Sequence, residues 1–155
     1  MPEYRGQLRP IGRVGIAVSG YHERITTRLL DGALQCCREA GIDADQVDVV
    51  WVSGAFELGV AAAGLARTGR YAALVALGVV VRGDTPHFDY VAGETSRMLG
   101  QVAVDAALPV GFGLLTVDTM AQAVERAGGA AGNKGHEAAE AAIRAADVIS
   151  QVGQR

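Results

Sequence analysis

An almost unbroken run of apolar residues from Ala73 to Val81 constrains the fold of this chain more than any other feature of its sequence. A strand with one face in water alternates apolar and polar side chains, and this run does not alternate. Such a run is typical of a strand that is buried on both faces in a parallel sheet. It therefore predicts helices on both sides of the sheet.

Short apolar runs alternate with longer segments of helical periodicity along the rest of the chain, which is the pattern of an α/β fold. Three more strands are predicted, at residues 13–18, 47–52 and 110–116. Five helices are predicted. The first has a buried stripe over residues 25–37 and is closed by Gly41, and the second and third cover residues 55–66 and 90–107. The fourth opens with the capping box of Thr119 and Gln122 and ends near Gly128, and the fifth covers residues 135–150. The glycine-dense residues 128–135 are predicted to form a loop.

Length and composition favour one small globular domain over residues 1–155, with residues 1–10 as an extended amino-terminal segment. The net charge of -3 argues against nonspecific binding of nucleic acid. No apolar run reaches the ~20 residues that cross a bilayer, and no signal sequence is recognised, so no membrane association is predicted. The only cysteines, Cys36 and Cys37, are adjacent, and a bridge between neighbours is strained. Reduced thiols and a cytoplasmic location are expected.

The long apolar run ends in a short loop whose residues suit phosphate chemistry. In an open parallel sheet, ligands bind at the carboxyl ends of the strands. Gly83 lets backbone amides approach an anion, and Thr85 adds a hydroxyl donor. His87 follows them, and histidine is the residue type that exchanges protons near neutral pH. The loop is predicted to hold a phosphate and to move protons beside it.

Several segments match, in order and spacing, the motifs of one enzyme family. They are Gly54-Ala55-Phe56-Glu57, the stretch from Arg82 to Tyr90, Phe112-Gly113-Leu114-Leu115-Thr116, and Glu125-Arg126-Ala127-Gly128 with Gly132-Asn133-Lys134-Gly135. Together they make the chain resemble the lumazine synthases of riboflavin biosynthesis over nearly its whole length. The resemblance implies a three-layer α/β/α sandwich around a four-stranded parallel sheet in flavodoxin-like order.

The resemblance also implies a reaction. Members of the family condense 5-amino-6-ribitylaminouracil with 3,4-dihydroxy-2-butanone 4-phosphate to form 6,7-dimethyl-8-ribityllumazine, phosphate and water. They use neither a metal nor an organic cofactor. The alternative is a protein on the same scaffold that binds or stores riboflavin without catalysis, because stacking aromatic rings and ribityl contacts suit riboflavin as well.

Two residues are implied to be catalytic. His87 would transfer protons during imine formation, phosphate elimination and ring closure. Arg126 would bind the phosphate from across a subunit boundary, together with the backbone of Gly83, Asp84 and Thr85. Without the family match, Arg126 would only be expected to stabilise the carboxyl end of a helix.

The other implied contacts hold the pyrimidine ring and its sugar-alcohol tail. Tyr21 would stack on the ring. The remaining assignments are Ala55, Phe56 and Glu57 for the ribityl chain, Val80 and Val81 for the ring pocket, and Phe112 and Lys134 from the adjacent subunit. All of these residues would act by binding substrate.

Charged residues around the phosphate loop leave alternatives open. Arg82 either neutralises Asp84 or braces the loop. Either Asp89 or Glu94 is a candidate to orient the imidazole of His87. The sequence does not decide between them.

Some positions depart from the family pattern. His22 stands where many relatives carry asparagine, and it either hydrogen-bonds the ligand or caps the helix that starts near Glu23. Ser53 and Gly59 stand where many relatives have prolines, which predicts a less rigid ribityl-binding loop. His136 is predicted to face solvent.

The resemblance implies a homo-oligomer. Rings of five subunits are the family's shared unit, and residues 128–135 resemble the turn of members whose pentamers form icosahedral shells. We expect such a shell, with a free pentamer or decamer as alternatives and riboflavin synthase as a candidate cargo. Residues 3–9 lack a helical stripe and are predicted to add a strand to a neighbouring subunit's sheet.

Overall fold

The computed structural model describes residues 1–154, and a sheet of four parallel strands forms its centre. The strands are β1 (Val14–Ser19), β2 (Val47–Val52), β3 (Ala73–Val81) and β4 (Val110–Val117), and they lie in the order β2-β1-β3-β4. The apolar run is β3, an inner strand whose residues 73–79 are all buried. The predicted parallel sheet and its flavodoxin-like order are confirmed.

Helices cover both faces of the sheet, as the apolar run predicts. On one face lie α1 (Glu23–Glu39) and α5 (Lys134–Gly153), and on the other lie α2 (Leu58–Arg67) and α3 (His87–Ala106). A short helix, α4 (Met120–Arg126), follows β4, and three-residue 3-10 turns form at Ala44–Gln46 and Ala55–Glu57. An apolar core fills the space between the sheet and each helix pair. The three-layer α/β/α sandwich is thereby confirmed.

The packing of α5 on α1 depends on residues at the start of α5. A Cβ on Gly135 would lie 2.0 Å from the Leu29 carbonyl oxygen, so only glycine lets the helices approach this closely. Asn133 caps α5 by accepting hydrogen bonds from the amides of Gly135 and His136 at 2.8 and 3.1 Å. Its side-chain amide donates to the Arg28 carbonyl oxygen at 3.0 Å, which ties the cap to α1.

The glycine-dense segment is not the loop that the sequence predicts. Ala127–Gly129 (β5) and Gly132–Asn133 (β6) form a small antiparallel hairpin, and α5 starts at Lys134. Left-handed φ values of +100° at Gly128 and +85° at Gly132 allow this tight reversal. Glycine density indicates a sharp turn here but does not reveal the short pairing within it.

His136 is partly exposed to solvent, and it has a polar partner that the sequence does not predict. Its side chain is 27% exposed, and its Nε2 lies 2.8 Å from Oε2 of Glu39 on α1. This hydrogen bond is the main reason that the pKa of Glu39 lies below its usual value. Helical spacing reports which face of α5 is buried, but not which polar partner a distant helix supplies.

The amino-terminal segment lies along α5 and forms no strand within the described residues. Asp147, which is 1% exposed, accepts a hydrogen bond from the Gln7 amide at 2.9 Å and pairs with Arg9. The Arg144 guanidinium donates to the Gly6 carbonyl oxygen at 3.0 Å. The Gln7 amide is also the main cause of the lowered pKa of Asp147. Pairing of this segment with a neighbouring sheet stays a prediction.

Cys36 and Cys37 are free and buried in the core beneath α1, as expected. Burial raises the pKa of the Cys36 thiol to about 12, which makes it a poor nucleophile. Within residues 1–154, no helix is both long and apolar enough to cross a bilayer.

Candidate active site

A cleft of about 710 Å³ opens beside the carboxyl ends of the parallel strands. Its walls come from segments that are far apart in sequence: residues 21–22 after β1, 54–57 after β2, 79–81 at the end of β3, and parts of residues 83–94. Because parallel strands end at the same edge of a sheet, the loops that follow them meet there. The cleft therefore lies where the sequence predicts a ligand site.

The loop after β3 brings open backbone and His87 to one wall of the cleft. The Arg82 amide donates to the Val117 carbonyl oxygen at 2.9 Å, which extends the pairing of β3 with β4 past the last residue of β3. The His87 amide donates to the Thr85 hydroxyl at 3.4 Å, where the loop turns into α3. Residues 82–87 are exposed, and a Cβ on Gly83 would meet no described atom within 4 Å, so the loop backbone is open there.

One face of α3 forms a second part of this wall. His87, Tyr90, Val91 and Glu94 recur at helical spacing, and all four line the cleft. Tyr90 is 70% exposed in the single chain, so its ring is free for further contacts. Tyr90 and Val91 were not predicted as site residues, although their spacing of three and four residues from His87 was the available signal.

The Ala55–Glu57 turn forms another wall of the cleft, and contacts with α3 hold it in place. The Thr95 hydroxyl, which is fully buried, donates to the Ala55 carbonyl oxygen at 3.4 Å. A Cβ on Gly59 would lie 2.9 Å from the Met98 side chain, so glycine there lets α2 pack closely on α3. Phe56 is 52% exposed at the cleft. These contacts position the turn without prolines.

Tyr21 and His22 form the rim of the cleft. The Tyr21 amide donates to the Ser53 carbonyl oxygen at 3.0 Å, and the side chain is 67% exposed. The two rings have centroids 4.4 Å apart and planes inclined by 58°. His22 is in the left-handed region at φ 60° and makes no side-chain cap bond to α1, so the capping alternative is wrong.

Most of the predicted site residues line this cleft: Tyr21, Ala55, Phe56, Glu57, Val80, Val81, Gly83, Thr85 and His87. Asp84 is exposed in the loop and is not part of the lining. Sequence reasoning assigned no contact to Gly54, Val79 or Phe88, which also line it. They carry no polar side chain that would have marked them.

Besides Asp84, three predicted residues do not line the cleft of their own chain. Arg126 ends α4, where its Nη1 donates to the Gln122 carbonyl oxygen at 3.0 Å. Phe112 is 47% exposed on β4, one of the two edge strands of the four-stranded sheet. Lys134 begins α5, with its Nζ 3.7 Å from a Glu137 carboxylate oxygen. Their assignment to a neighbouring subunit's site stays a prediction.

The charges beside the loop resolve the alternatives for Arg82. Its Nε donates to Asp118 at 3.0 Å and its Nη1 lies 3.5 Å from Asp89, whereas no contact joins it to Asp84. Arg82 therefore braces the loop.

Neither acidic candidate is bonded to His87. Asp89 pairs with Arg82, and Glu94 pairs with Arg97 at 2.9 Å. Within the described part of the chain, the His87 imidazole makes no hydrogen bond. Its orientation therefore depends on the backbone of α3.

The cleft of a single chain lacks a cation. Glu57 and Glu94 bring two carboxylates to the lining, and among residues 1–154 no lysine or arginine lines it. The local field disfavours an anion. No three His, Cys, Asp or Glu side chains of the described chain are grouped so that they could hold a metal ion.

Comparison with protein families shows which family the chain matches. Residues 12–150 of the 155-residue chain match the sequence model described as 6,7-dimethyl-8-ribityllumazine synthase. The match takes in the four-stranded sheet, all five helices up to Ser150 and every segment that lines the cleft.

Proposed function

Since the chain belongs to the 6,7-dimethyl-8-ribityllumazine synthase family, and is therefore a transferase of riboflavin biosynthesis, we propose that it catalyses the condensation for which the family is named. The substrates would be 5-amino-6-ribitylaminouracil and 3,4-dihydroxy-2-butanone 4-phosphate, and the products the lumazine, phosphate and water. One observation carries the proposal: a single cleft holds His87, the uncovered loop before it and the exposed ring of Tyr21.

The pyrimidine and its ribityl tail would bind along the aromatic and apolar walls. Tyr21 offers a ring face for stacking, and Val80 and Val81 offer an apolar surface. The Phe56 amide and the Glu57 carboxylate supply a donor and an acceptor for the hydroxyl groups of the tail. Burying the ring would also cover exposed aromatic surface.

His87 would move the protons of the reaction. Its imidazole makes no bond within residues 1–154, so both ring nitrogens are available to substrate. Attack of the amine on the ketone forms a C–N bond and expels water. Elimination removes a carbon-bound proton, and phosphate leaves with the electron pair of its C–O bond. Ring closure forms the second C–N bond and again expels water, so each step needs a proton donor or acceptor.

The phosphate would be bound by two sets of donors. Loop amides from Gly83 to Thr85 would form the first set. Because no lysine or arginine of residues 1–154 lines the cleft and two carboxylates do, a phosphate dianion would need a positive charge from elsewhere. Nη1 of Arg126 donates to the Gln122 carbonyl oxygen and lies 3.8 Å from a Glu125 carboxylate oxygen, whereas Nε and Nη2 make no hydrogen bond within residues 1–154. We assign Arg126 to the cleft of a second copy.

An oligomer follows from this assignment. Phe112 and Lys134, both partly exposed and outside their own cleft, would meet the ring and its carbonyl group in the neighbouring one. Pentamers assembled into an icosahedral shell are the form that we propose, with riboflavin synthase as the proposed cargo.

An assay with both substrates in excess chelator tests the reaction and its cofactor-free character together. Appearance of the lumazine absorbance at an undiminished rate supports the proposal. Activity that disappears with chelator and returns with a divalent ion would overturn the metal-free mechanism. Binding of riboflavin without any turnover would favour the storage alternative.

Replacement of His87 tests the proton-transfer role. His87→Ala should lower the turnover number by about 10- to 1,000-fold and leave the affinity for a pyrimidine analogue within a few fold. Residual activity is expected because the amine and ketone react when they are merely held together. An unchanged turnover number would remove His87 from the mechanism.

A further inference from the structure

Arg82 lies at the centre of a small cluster at the base of the phosphate loop. Its Nε donates to Oδ1 of Asp118 at 3.0 Å, and its Nη1 lies 3.5 Å from Oδ1 of Asp89. The guanidinium carbon stands 4.3 Å from the centre of the Phe88 ring. A planar guanidinium that meets two carboxylates and a ring face has a defined orientation, which a flexible ammonium group would lack.

The partners of Arg82 belong to different elements of the fold. Asp118 follows β4 and immediately precedes Thr119, the residue that caps α4. Phe88 and Asp89 lie in the first turn of α3, directly after His87. The Arg82 side chain therefore links the end of β3 to the start of α3, so it joins the two ends of the phosphate loop.

This closure bears on His87 because no other described residue hydrogen-bonds its imidazole, and the first turn of α3 carries it. The imidazole makes no hydrogen bond within residues 1–154, and the amide bond to Thr85 is long at 3.4 Å. Phe88, by contrast, is only 9% exposed and lies under the guanidinium. Since Phe88 and Asp89 directly follow His87, contacts that hold them also restrict the backbone that carries the imidazole.

We propose that Arg82 is a positioning residue that holds the first turn of α3 against the ends of β3 and β4, and so sets His87 relative to the loop amides. This inference rests on the proposed function for its effect on turnover. The geometric part does not depend on that function, and it is tested without substrate.

The kinetic test compares Arg82→Gln with wild type. The turnover number should fall by about 10- to 100-fold, while the KM for the aminouracil should stay within about threefold, because Arg82 touches neither Tyr21 nor the Ala55–Glu57 turn. Arg82→Lys, which keeps the charge without the planar fork, should recover part of the loss. A loss in Arg82→Gln that appears only in KM would overturn the proposal.

A matched control separates positioning from general loss of an ion pair. Arg144 also donates through Nε to a carboxylate, that of Glu140, at 3.0 Å, but on α5 and away from the cleft. Arg144→Gln should retain the wild-type turnover number. An equal loss in both variants would mean that Arg82 acts through overall stability.

A double-mutant cycle tests whether Arg82 acts through His87. In the His87→Ala background, Arg82→Gln should change turnover by less than about twofold, because the group that it positions is already gone. Independent effects that multiply would overturn the proposal.

The substrate-free test uses backbone amide exchange. The Asp89 amide donates to the Pro86 carbonyl oxygen at 3.0 Å in the first turn of α3. Its exchange should accelerate by about fivefold or more in Arg82→Gln but not in Arg144→Gln. If exchange in Arg82→Gln is unchanged, the inference about Arg82 is wrong even when the enzyme forms lumazine. If exchange accelerates but the wild-type protein forms no lumazine, only the proposed function is contradicted.

Discussion

Replacing Arg126 tests most directly how the phosphate is bound. Arg126→Gln keeps a polar side chain but removes the charge and the guanidinium fork. A hydrogen bond to a charged group contributes about 1.5 to 3 kcal/mol, so the variant should bind the butanone phosphate about 10- to 150-fold more weakly. Pyrimidine affinity should stay within about twofold, because in the proposed site that ligand would not meet the guanidinium.

Replacing the neighbouring Glu125 gives a matched variant that should have the opposite effect on phosphate affinity. Its carboxylate lies 3.8 Å from Nη1 of Arg126 and competes with phosphate for the charge. Both side chains are about half exposed, so the pair contributes at most ~1 kcal/mol, and Glu125→Gln should tighten phosphate binding by up to about fivefold. Calorimetric titration with inorganic phosphate and with a pyrimidine analogue measures both variants. Equal weakening of both ligands by Arg126→Gln would refute the assignment.

Mixed oligomers decide whether the arginine acts in the cleft of its own chain. Subunits carrying Arg126→Gln and subunits carrying His87→Ala would be dissociated, mixed and reassembled. Where an intact Arg126 meets a neighbour's intact His87, a complete site is restored, so activity should rise well above that of either parent. No rise in verified mixed oligomers would mean that both residues serve one subunit.

Two further predictions concern the packing of α5. Gly135→Ala should destabilise the fold by about 1 to 3 kcal/mol or more, because its Cβ would lie 2.0 Å from the Leu29 carbonyl oxygen. Gly64→Ala on α2 serves as the comparison: its Cβ would meet no atom within 4 Å, so this change should raise the free energy of unfolding by about 0.5 to 1 kcal/mol. Denaturant unfolding measures both variants, and equal midpoints would contradict both predictions. Acid should release the amino-terminal segment from α5. Because the pKa of Asp147 is lowered in the folded state, its contribution to the free energy of unfolding is present above about pH 4 and is lost as the pH falls through the folded-state pKa. The protection factor of the Gln7 amide, which compares its exchange with that of an unfolded chain at the same pH, should therefore fall in acid for wild type and already at neutral pH for Asp147→Ala. Protection that survives in the variant would exclude this anchor.

Elements whose signal is local could be predicted from the sequence. The run 73–81 predicts a doubly covered strand because burial on both faces excludes polar alternation. The capping box is likewise confirmed in both directions: the Gln122 amide donates to the Thr119 hydroxyl at 3.2 Å, and the Thr119 amide donates to Oε1 of Gln122 at 3.3 Å. Both patterns involve residues that are neighbours in the chain.

The contacts that the sequence does not reveal depend on partners that are distant in the chain. His136 meets Glu39 only because α5 lies beside α1, and the sequence around either residue contains no sign of the other. Arg82 illustrates the same limit, since Asp84 is nearer in sequence but Asp118 is its partner. Pairing across the β3–β4 boundary brings Asp118 into reach, because Arg82 continues that ladder. Sequence proximity is therefore a poor guide to ion pairs at strand ends.

The distribution of charge gives assembly a chemical role in the proposed site. Arg82, the arginine nearest to the loop, is held by Asp118 and Asp89 and does not line the cleft. Glu57 and Glu94 make the cleft of one chain unfavourable for a dianion, although its apolar and aromatic walls suit a neutral ring. In the proposed site, a single chain would suit the pyrimidine alone, and the phosphate ester would bind only when another copy supplies a guanidinium. Docking of subunits and recognition of the second substrate would then be one event, because both would depend on where the end of α4 meets its neighbour.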